Sequence, residues 1–408
     1  MRKALLAVVL CITTAAATFA ASGSAGAVRA ETASGKKSIH IISDFQLPGE
    51  STTAVPYFEN AAQLAVEDLE KQGWDVNYER IIGSFTSASA EEQAFLTAAA
   101  KSPDFWMGLG ASNVFIPVGP KVAQSGIPTF AYSAPTEGIK DGPSGGDNIY
   151  LLRPLNEARY ARITDFACGT LKLKRIGLSL VTTAFGPTAQ QAVERAMKKY
   201  PNCEVVTAQT NAVSATDTTQ QVQAFKNANV DGIISANFPG PMATQINQMR
   251  QNGLDVPYIA DSSLPVAVNS NSITTGLQNL YVADDCAPDL NLNARARKFT
   301  KTYEARFNAT PNNQAAQVWD AIHMAADAVA KAGANDQAKV NRAMQATDYK
   351  GLCDYAADEN NVLARAIYVY SYKDDKSKKL MKSFELPFIP SSALATTAPP
   401  TTAAPTGG

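Results

Sequence analysis

The sequence predicts an α/β protein made of two similar lobes, each a parallel-rich sheet with helices on both faces. Three observations carry this expectation. The chain has 408 residues, too long for one ordinary core and well suited to two domains. From Ser38 onward, short apolar runs alternate with amphipathic helical stretches, the rhythm of parallel sheets covered by helices. After Arg153-Pro154 that rhythm restarts, so a second sheet of the same kind follows the first.

Taken in order, "SIHIISDF" reads as a buried strand, and "PYFENAAQLAVEDLEKQG" as an amphipathic helix closed by Gly73. "DVNYERIIGSF" is the second strand, and the Ser89/Glu92 spacing forms a capping box that opens the helix "AEEQAFLTAAAKS". "FWMGLG", a helix from about Asn113 to Gln124, and "IPTFAYS" complete the first series. The second series is helix "NEARYARITDFACGTL", strand "RIGLSLV", helix "PTAQQAVERAMKKY", strand "CEVVTAQT", helix "TTQQVQAFKNAN", strand "DGIISAN", helix "PMATQINQMRQNG" and strand "VPYIAD". Then come the strand "LYVAD", a helix from about Asn293 to Phe307, the long helix "AAQVWDAIHMAADAVAKAG", the short helix "KVNRAMQA", and "RAIYVYSYK", which alternates like a strand at an antiparallel edge.

The two ends read differently. Arg2 and Lys3 precede an apolar run from Ala4 to Ala21, and small-residue cleavage signals follow at Ala25-Gly26-Ala27 and Val28-Arg29-Ala30. Residues 1–30 therefore read as a removable signal peptide, and a membrane anchor is disfavoured because Thr13, Thr14 and Thr18 interrupt a run of barely spanning length. Cys11 sits inside that run after Val8-Val9-Leu10, without the small residue expected before a lipidated cysteine. The last residues, 391–408, are rich in Thr, Pro and Ala and read as a disordered tail open to O-glycosylation.

Cleavage after Ala30 removes Arg2, Lys3 and Arg29, so 36 basic residues become 33 against 37 acidic ones, a formal charge of −4. That balance argues against a nucleic-acid partner. Cys168, Cys203, Cys286 and Cys353 remain, an even count in a compartment where disulfides persist. They allow three pairings; Cys168 near a helix end and Cys203 at the next strand start suit one of them, leaving Cys286 with Cys353. Without CxxC, and with only two histidines, no metal site is expected.

This order of segments resembles the periplasmic-binding type I superfamily, specifically the branched-chain amino-acid (Leu/Ile/Val) binding proteins of ABC transporters, over nearly all of Ser38 to Pro387. The matching stretches are "GLGASNVFIP", "TFAYSAP", "RIGLSLVTTAFGPTAQQAVERAMKK" and "VDGIISANFPGPMATQINQMRQNGLDVPYIADSS". The resemblance implies two Rossmann-like lobes joined by a multi-strand hinge. Its boundaries would be 38–153 and 283–347 for the first lobe, with 154–282 and 348–390, including the hinge, for the second. Crossovers would lie near Arg153-Pro154, Ala283-Asp285 and Ala346-Gly351.

It also implies a ligand site. Ser112, with the neighbouring N–H of Asn113, would offer donors to a ligand carboxylate, which agrees with the anion preference of a helix start. Ala131 and Ser133 would add backbone and hydroxyl hydrogen bonds, with Tyr132 between them. Phe185 and Phe238 stand where the family often carries tyrosines and would line the cleft. An ammonium-binding acid would fall in "ADSS", where Ser262 takes its place and Asp261 precedes it. Gln46 and Tyr57 would reach the ligand from the first lobe, while Trp319 and Asp320 would be structural or near the hinge. The bland alternatives are a serine that only caps or turns, phenylalanines in the core, and an aspartate in a turn.

An enzyme is not expected. "GLGAS" is neither GxSxG nor a complete GxGxxG, no P-loop is present, and His40 and His323 lie on a strand and a helix face. The expected protein is an extracytoplasmic, monomeric, cofactor-free binder of a small carboxylate, closing about its hinge and serving an ABC permease. A secreted sensor module on the same fold is the alternative.

Overall fold

The computed structural model describes residues 37–47, 54–134, 146–333 and 335–390. The expected signal peptide, residues 48–53 and the Thr/Pro/Ala-rich tail lie outside them.

The first lobe begins with β1 (Ser38–Gln46), α1 (Val55–Lys71), β2 (Asp75–Ile82), α2 (Ala88–Ala99), β3 (Phe105–Gly108), α3 (Ser112–Ser125), β4 (Thr129–Ala131) and β5 (Ile149–Leu151). Its sheet runs β2-β1-β3-β4-β5 and all its strand pairs are parallel. In β1, Ile39 and Ile41 enter the core on one face while Ile42 enters the core on the other. A strand covered on both faces must read as continuously apolar, which "IHII" does.

The second lobe continues with α4 (Asn156–Thr164), which runs into a six-residue π-helical turn (Asp165–Thr170). Then follow β6 (Arg175–Val181), α5 (Phe185–Met197), β7 (Glu204–Asn211), α6 (Thr219–Asn227), β8 (Gly232–Ala236), α7 (Pro239–Gln251), β9 (Tyr258–Asp261), α8 (Ser263–Asn269) and β10 (Leu280–Asp284). After β10 the chain returns to the first lobe as α9 (Ala294–Phe307), α10 (Asn313–Ala332) and α11 (Gln337–Gln345). The hairpin β11 (Asp348–Lys350) and β12 (Asp354–Ala356) follows, and β13 (Ala366–Tyr372) and β14 (Lys378–Glu385) complete the second sheet, ordered β14-β13-β10-β9-β8-β6-β7.

Three sequence expectations change. Ser87, not Ser89, caps α2, its Oγ accepting from Ala90 N–H at 3.3 Å. The strand read as an edge, β13, lies inside the sheet, and the edge is β14, whose exposed lysines deter further pairing. The third crossing lies between Leu363 and Ala366 rather than near Ala346-Gly351. Leu352, Cys353, Tyr355 and Leu363 belong to the first lobe's core, and Leu363 N–H donates to Leu151 C=O at 2.9 Å. Asp320 explains the difference, because its carboxylate accepts from Leu352 and Cys353 N–H at 2.9 and 3.0 Å and holds the hairpin on α10.

Disulfides join Cys168 to Cys203 and Cys286 to Cys353. The first ties the π-helical turn of the second lobe to the start of β7. The second ties the crossover after β10 to the β11–β12 hairpin.

Candidate functional site

Strand ends of both sheets open onto one cleft of about 470 Å³, within the range of small-molecule sites. The first-lobe wall is built from two loops. The β3–α3 turn contributes Gly110 and Ala111 and leads into Ser112 and Asn113 at the start of α3, and the loop before α2 contributes Phe85 and Thr86. A Cβ on Gly110 would stand 2.2 Å from the Phe85 ring and 2.5 Å from the Tyr132 hydroxyl, so only glycine lets these loops close together. Asn113 Nδ2 donates to Phe85 C=O at 2.8 Å and locks the two loops.

Leu109, just before Gly110, has φ +59°, a left-handed conformation costly for a side chain with a Cβ. Glu91 holds it there. One Glu91 carboxylate oxygen accepts from Leu109 N–H at 2.8 Å and the other from Ser84 N–H at 3.1 Å. One buried acid therefore pins both wall loops. Behind it, burial and the charge of Glu91 push the Asp44 carboxyl well above the usual carboxylate range.

Helix α3 begins without a side-chain cap. Its N-cap is Ala111, and the first intrahelical bond runs from Val114 N–H to Ala111 C=O at 3.2 Å, followed by Phe115 N–H to the same oxygen at 2.8 Å. The N–H groups of Ser112 and Asn113 precede those bonds and have no intrahelical acceptor. Ser112 is thus the first helical residue rather than the cap, and the capping explanation for this serine does not hold. Its Oγ is buried, lines the cleft and has no hydrogen-bond partner among the described residues.

Opposite stand the aromatic residues. Gly186 packs so tightly under Val181 that a Cβ would lie 2.0 Å from the Val181 carbonyl oxygen, which turns the chain sharply from β6 into α5 and places Phe185 at the cleft. Phe238 precedes Pro239 at the start of α7 and also lines it. Both rings pack against the second-lobe core on their other side, so core and cleft are not exclusive roles here. Val213 adds a further apolar surface.

At the hinge side a buried ionic cluster closes the cleft. Arg153 Nη1 reaches Ser133 Oγ of the first lobe at 3.5 Å, and Nη2 donates to Ser262 Oγ of the second. Arg159 pairs with Asp261 at 3.3 Å and with Asp285 at 3.0 Å, while Gln317 from α10 donates to the other Asp285 oxygen. Burial alone would lower the Arg153 pKa, but Asp285, Asp261 and Asp284 hold it above the ordinary arginine value. Burial and the positive charge of Arg153 lower that of Arg159. Burial and Asp285 push Asp284 up to about 7.

Of the residues singled out from sequence, Ser112, Asn113 and Ser133 line the cleft from the first lobe, and Phe185, Phe238, Asp261 and Ser262 from the second. Ala131 and Tyr132 do not: both are buried in the first lobe, where Tyr132 packs edge-on against Phe45 and Phe58. Gln46 ends β1 with its C=O accepting from Gly83 N–H at 2.9 Å and is not part of the lining. Tyr57 stacks on Tyr303 instead. Sequence reasoning missed Arg153, Arg159, Asp285 and Glu91. A buried charge is legible only through its partner, and these partners are far apart in the chain.

The sequence pattern of the family described as "Periplasmic binding protein" matches residues 42–378. No curated protein is similar enough to match the chain. Among solved structures, the branched-chain amino acid transporter substrate binding protein LivJ from Streptococcus pneumoniae, in complex with isoleucine, is 18% identical with a TM-score of 0.72, covering 86% of this chain and 100% of that one. An ABC transporter solute binding protein from R. palustris, in complex with benzoate, is 16% identical with a TM-score of 0.74, covering 86% and 96%. A leucine binding protein, LivK, from Thermotoga maritima is 16% identical with a TM-score of 0.72, covering 87% and 99%. At these identities the likeness establishes the fold.

Proposed function

Because this chain belongs to the periplasmic binding protein family, whose members are extracytoplasmic solute-binding proteins, we propose that its cleft captures a small carboxylate-bearing ligand with an apolar or aromatic body and delivers it to an ABC permease. The observation that carries this reading is the uncapped start of α3, which opens on the cleft with a buried Ser112 hydroxyl that has no partner. Free N–H groups, a positive dipole end and an unengaged hydroxyl together favour an anion. Phe185 and Phe238 supply an apolar surface facing it from the other lobe. Isoleucine and benzoate, held by two structural neighbours, share a carboxylate and an apolar body.

The chain works as a monomer in this reading, exported by residues 1–30. Three crossings join the lobes, and Arg153 touches serines of both. A ligand contacting both walls stabilises the closed arrangement over the open one by its extra contacts there.

A thermal-shift screen of the mature protein against branched and aromatic amino acids, aromatic carboxylates, short dicarboxylates and amides tests the proposal. A ligand present at about a hundred times its Kd adds roughly 2.7 kcal/mol to stability, a clear rise in Tm. A hit lost in both Ser112→Ala and Phe185→Ala supports this cleft. A hit that survives both variants, or stabilisation by amides alone, would sink the carboxylate reading.

A further inference from the structure

We infer that the cleft selects a carboxylate that carries no α-ammonium group, and that Arg153 is the residue that sets this preference; the inference rests on the carboxylate reading of the site. Arg153 and Asp261 are the only ionisable side chains lining the cavity among the described residues. Asp261 is 1% exposed and both of its oxygens are engaged. Oδ1 accepts from Ser263 N–H at 3.0 Å, and Oδ2 accepts from Arg159 at 3.3 Å with Arg153 at 3.8 Å. Asp285, the next acid inward, is bound to Arg159, Arg153 and Gln317. The Ser262 hydroxyl accepts from Arg153.

Arg153 itself is under-satisfied. It is 6% exposed, its Nε–H has no partner, and its Nη1 contact with Ser133 is long at 3.5 Å. A ligand entering this end therefore meets the weakly engaged Nη1 of a guanidinium and, in Asp261, a carboxylate that is buried and already bound through both oxygens. An oxygen acceptor on the ligand is favoured there. An ammonium would sit beside a like charge, with the nearby acids already paired to Arg153 and Arg159, an arrangement that buried charges avoid.

Calorimetry on two matched pairs tests this: hydrocinnamate against phenylalanine, and isocaproate against leucine, each pair differing only in the ammonium. The des-amino acid of at least one pair is expected to bind at least about tenfold tighter than its amino acid, a ratio that corresponds to about 1.4 kcal/mol. In Arg153→Met, which removes the guanidinium and frees the Ser262 hydroxyl, that ratio is expected to fall by about tenfold or more, whereas Arg153→Lys keeps it above one. A merely structural role for Arg153 would weaken both members of a pair alike and leave the ratio unchanged, which overturns the assignment of Arg153.

Amino acids that bind the wild type as tightly as their des-amino partners overturn the ammonium exclusion while leaving the carboxylate reading standing. If no member of either pair binds, the carboxylate reading falls and takes this inference with it. Should Arg153→Met fail to fold, the wild-type ratios decide the ammonium question and Arg153→Lys the residue.

Discussion

Replacing Glu91 by glutamine should loosen the first-lobe wall of the cleft although Glu91 is not part of the lining. Its two carboxylate oxygens accept from Leu109 N–H at 2.8 Å and Ser84 N–H at 3.1 Å. The amide keeps one acceptor and turns an NH₂ toward the other buried N–H. A hydrogen bond to a charged group contributes about 1.5–3 kcal/mol, and a buried donor left unmet costs about 1–3 kcal/mol. We therefore expect a loss of about 2–3 kcal/mol, a fall in the urea midpoint of roughly 1 M. Leu109, at φ +59°, should relax once released and displace the Gly110–Ser112 backbone, so affinity for hydrocinnamate should drop about tenfold or more. The neighbouring Glu92→Gln is the control. Glu92 pairs with Lys121 at the surface, and its loss should cost no more than about 1 kcal/mol. Urea unfolding and calorimetry on both variants check this. If Glu91→Gln matches Glu92→Gln in stability and binds like the wild type, Glu91 does not hold the wall.

Gly186→Ala should weaken ligand binding by shifting Phe185, because the new Cβ would lie 2.0 Å from the Val181 carbonyl oxygen; overpacking of this kind costs about 1–3 kcal/mol, and calorimetry with hydrocinnamate would show the loss. The Cys286→Ser, Cys353→Ser double variant opens a loop of sequence separation 67 and should lose about 4 kcal/mol on the chain-entropy scale, read as a lower urea midpoint. Asp44 contributes a pH dependence of definite sign. Burial, then Glu91, raises its pKa above the ordinary 3.8, so the folded state keeps a proton that the unfolded chain has released. That contribution is complete below the ordinary value and declines as pH rises. Asp44→Asn should therefore narrow the stability difference between about pH 5 and about pH 8, measured by urea unfolding.

The two-lobe architecture was legible because a sheet covered on both faces leaves local traces. "SIHIISDF" and "RIGLSLV" are apolar on both sides, and each is followed by a helix with one apolar face. The lysine-rich edge strand β14 left no such trace, since nothing packs on most of its surface. The third crossing is hidden for a related reason. The β11–β12 hairpin is held to the first lobe by Asp320 and by a disulfide, and neither bond has a local signature. In the cleft, Ser112, Phe185 and Phe238 were found because they follow strand ends. Tyr132 follows one too, but its ring turns inward onto Phe45 and Phe58. A place at the end of β9 makes Asp261 a candidate partner for a ligand ammonium. Its engagement by Arg159, 102 residues away in the chain, could not be read from spacing.

Titration calorimetry comparing hydrocinnamate with its primary amide, on the wild type and on Ser112→Ala, tests most directly whether the start of α3 holds a carboxylate. The acid should bind the wild type about tenfold to a hundredfold tighter than the amide, as charge-assisted hydrogen bonds require. Ser112→Ala should weaken the acid more than the amide. An amide that binds as well as the acid, or an acid indifferent to the loss of the Ser112 hydroxyl, would contradict the account.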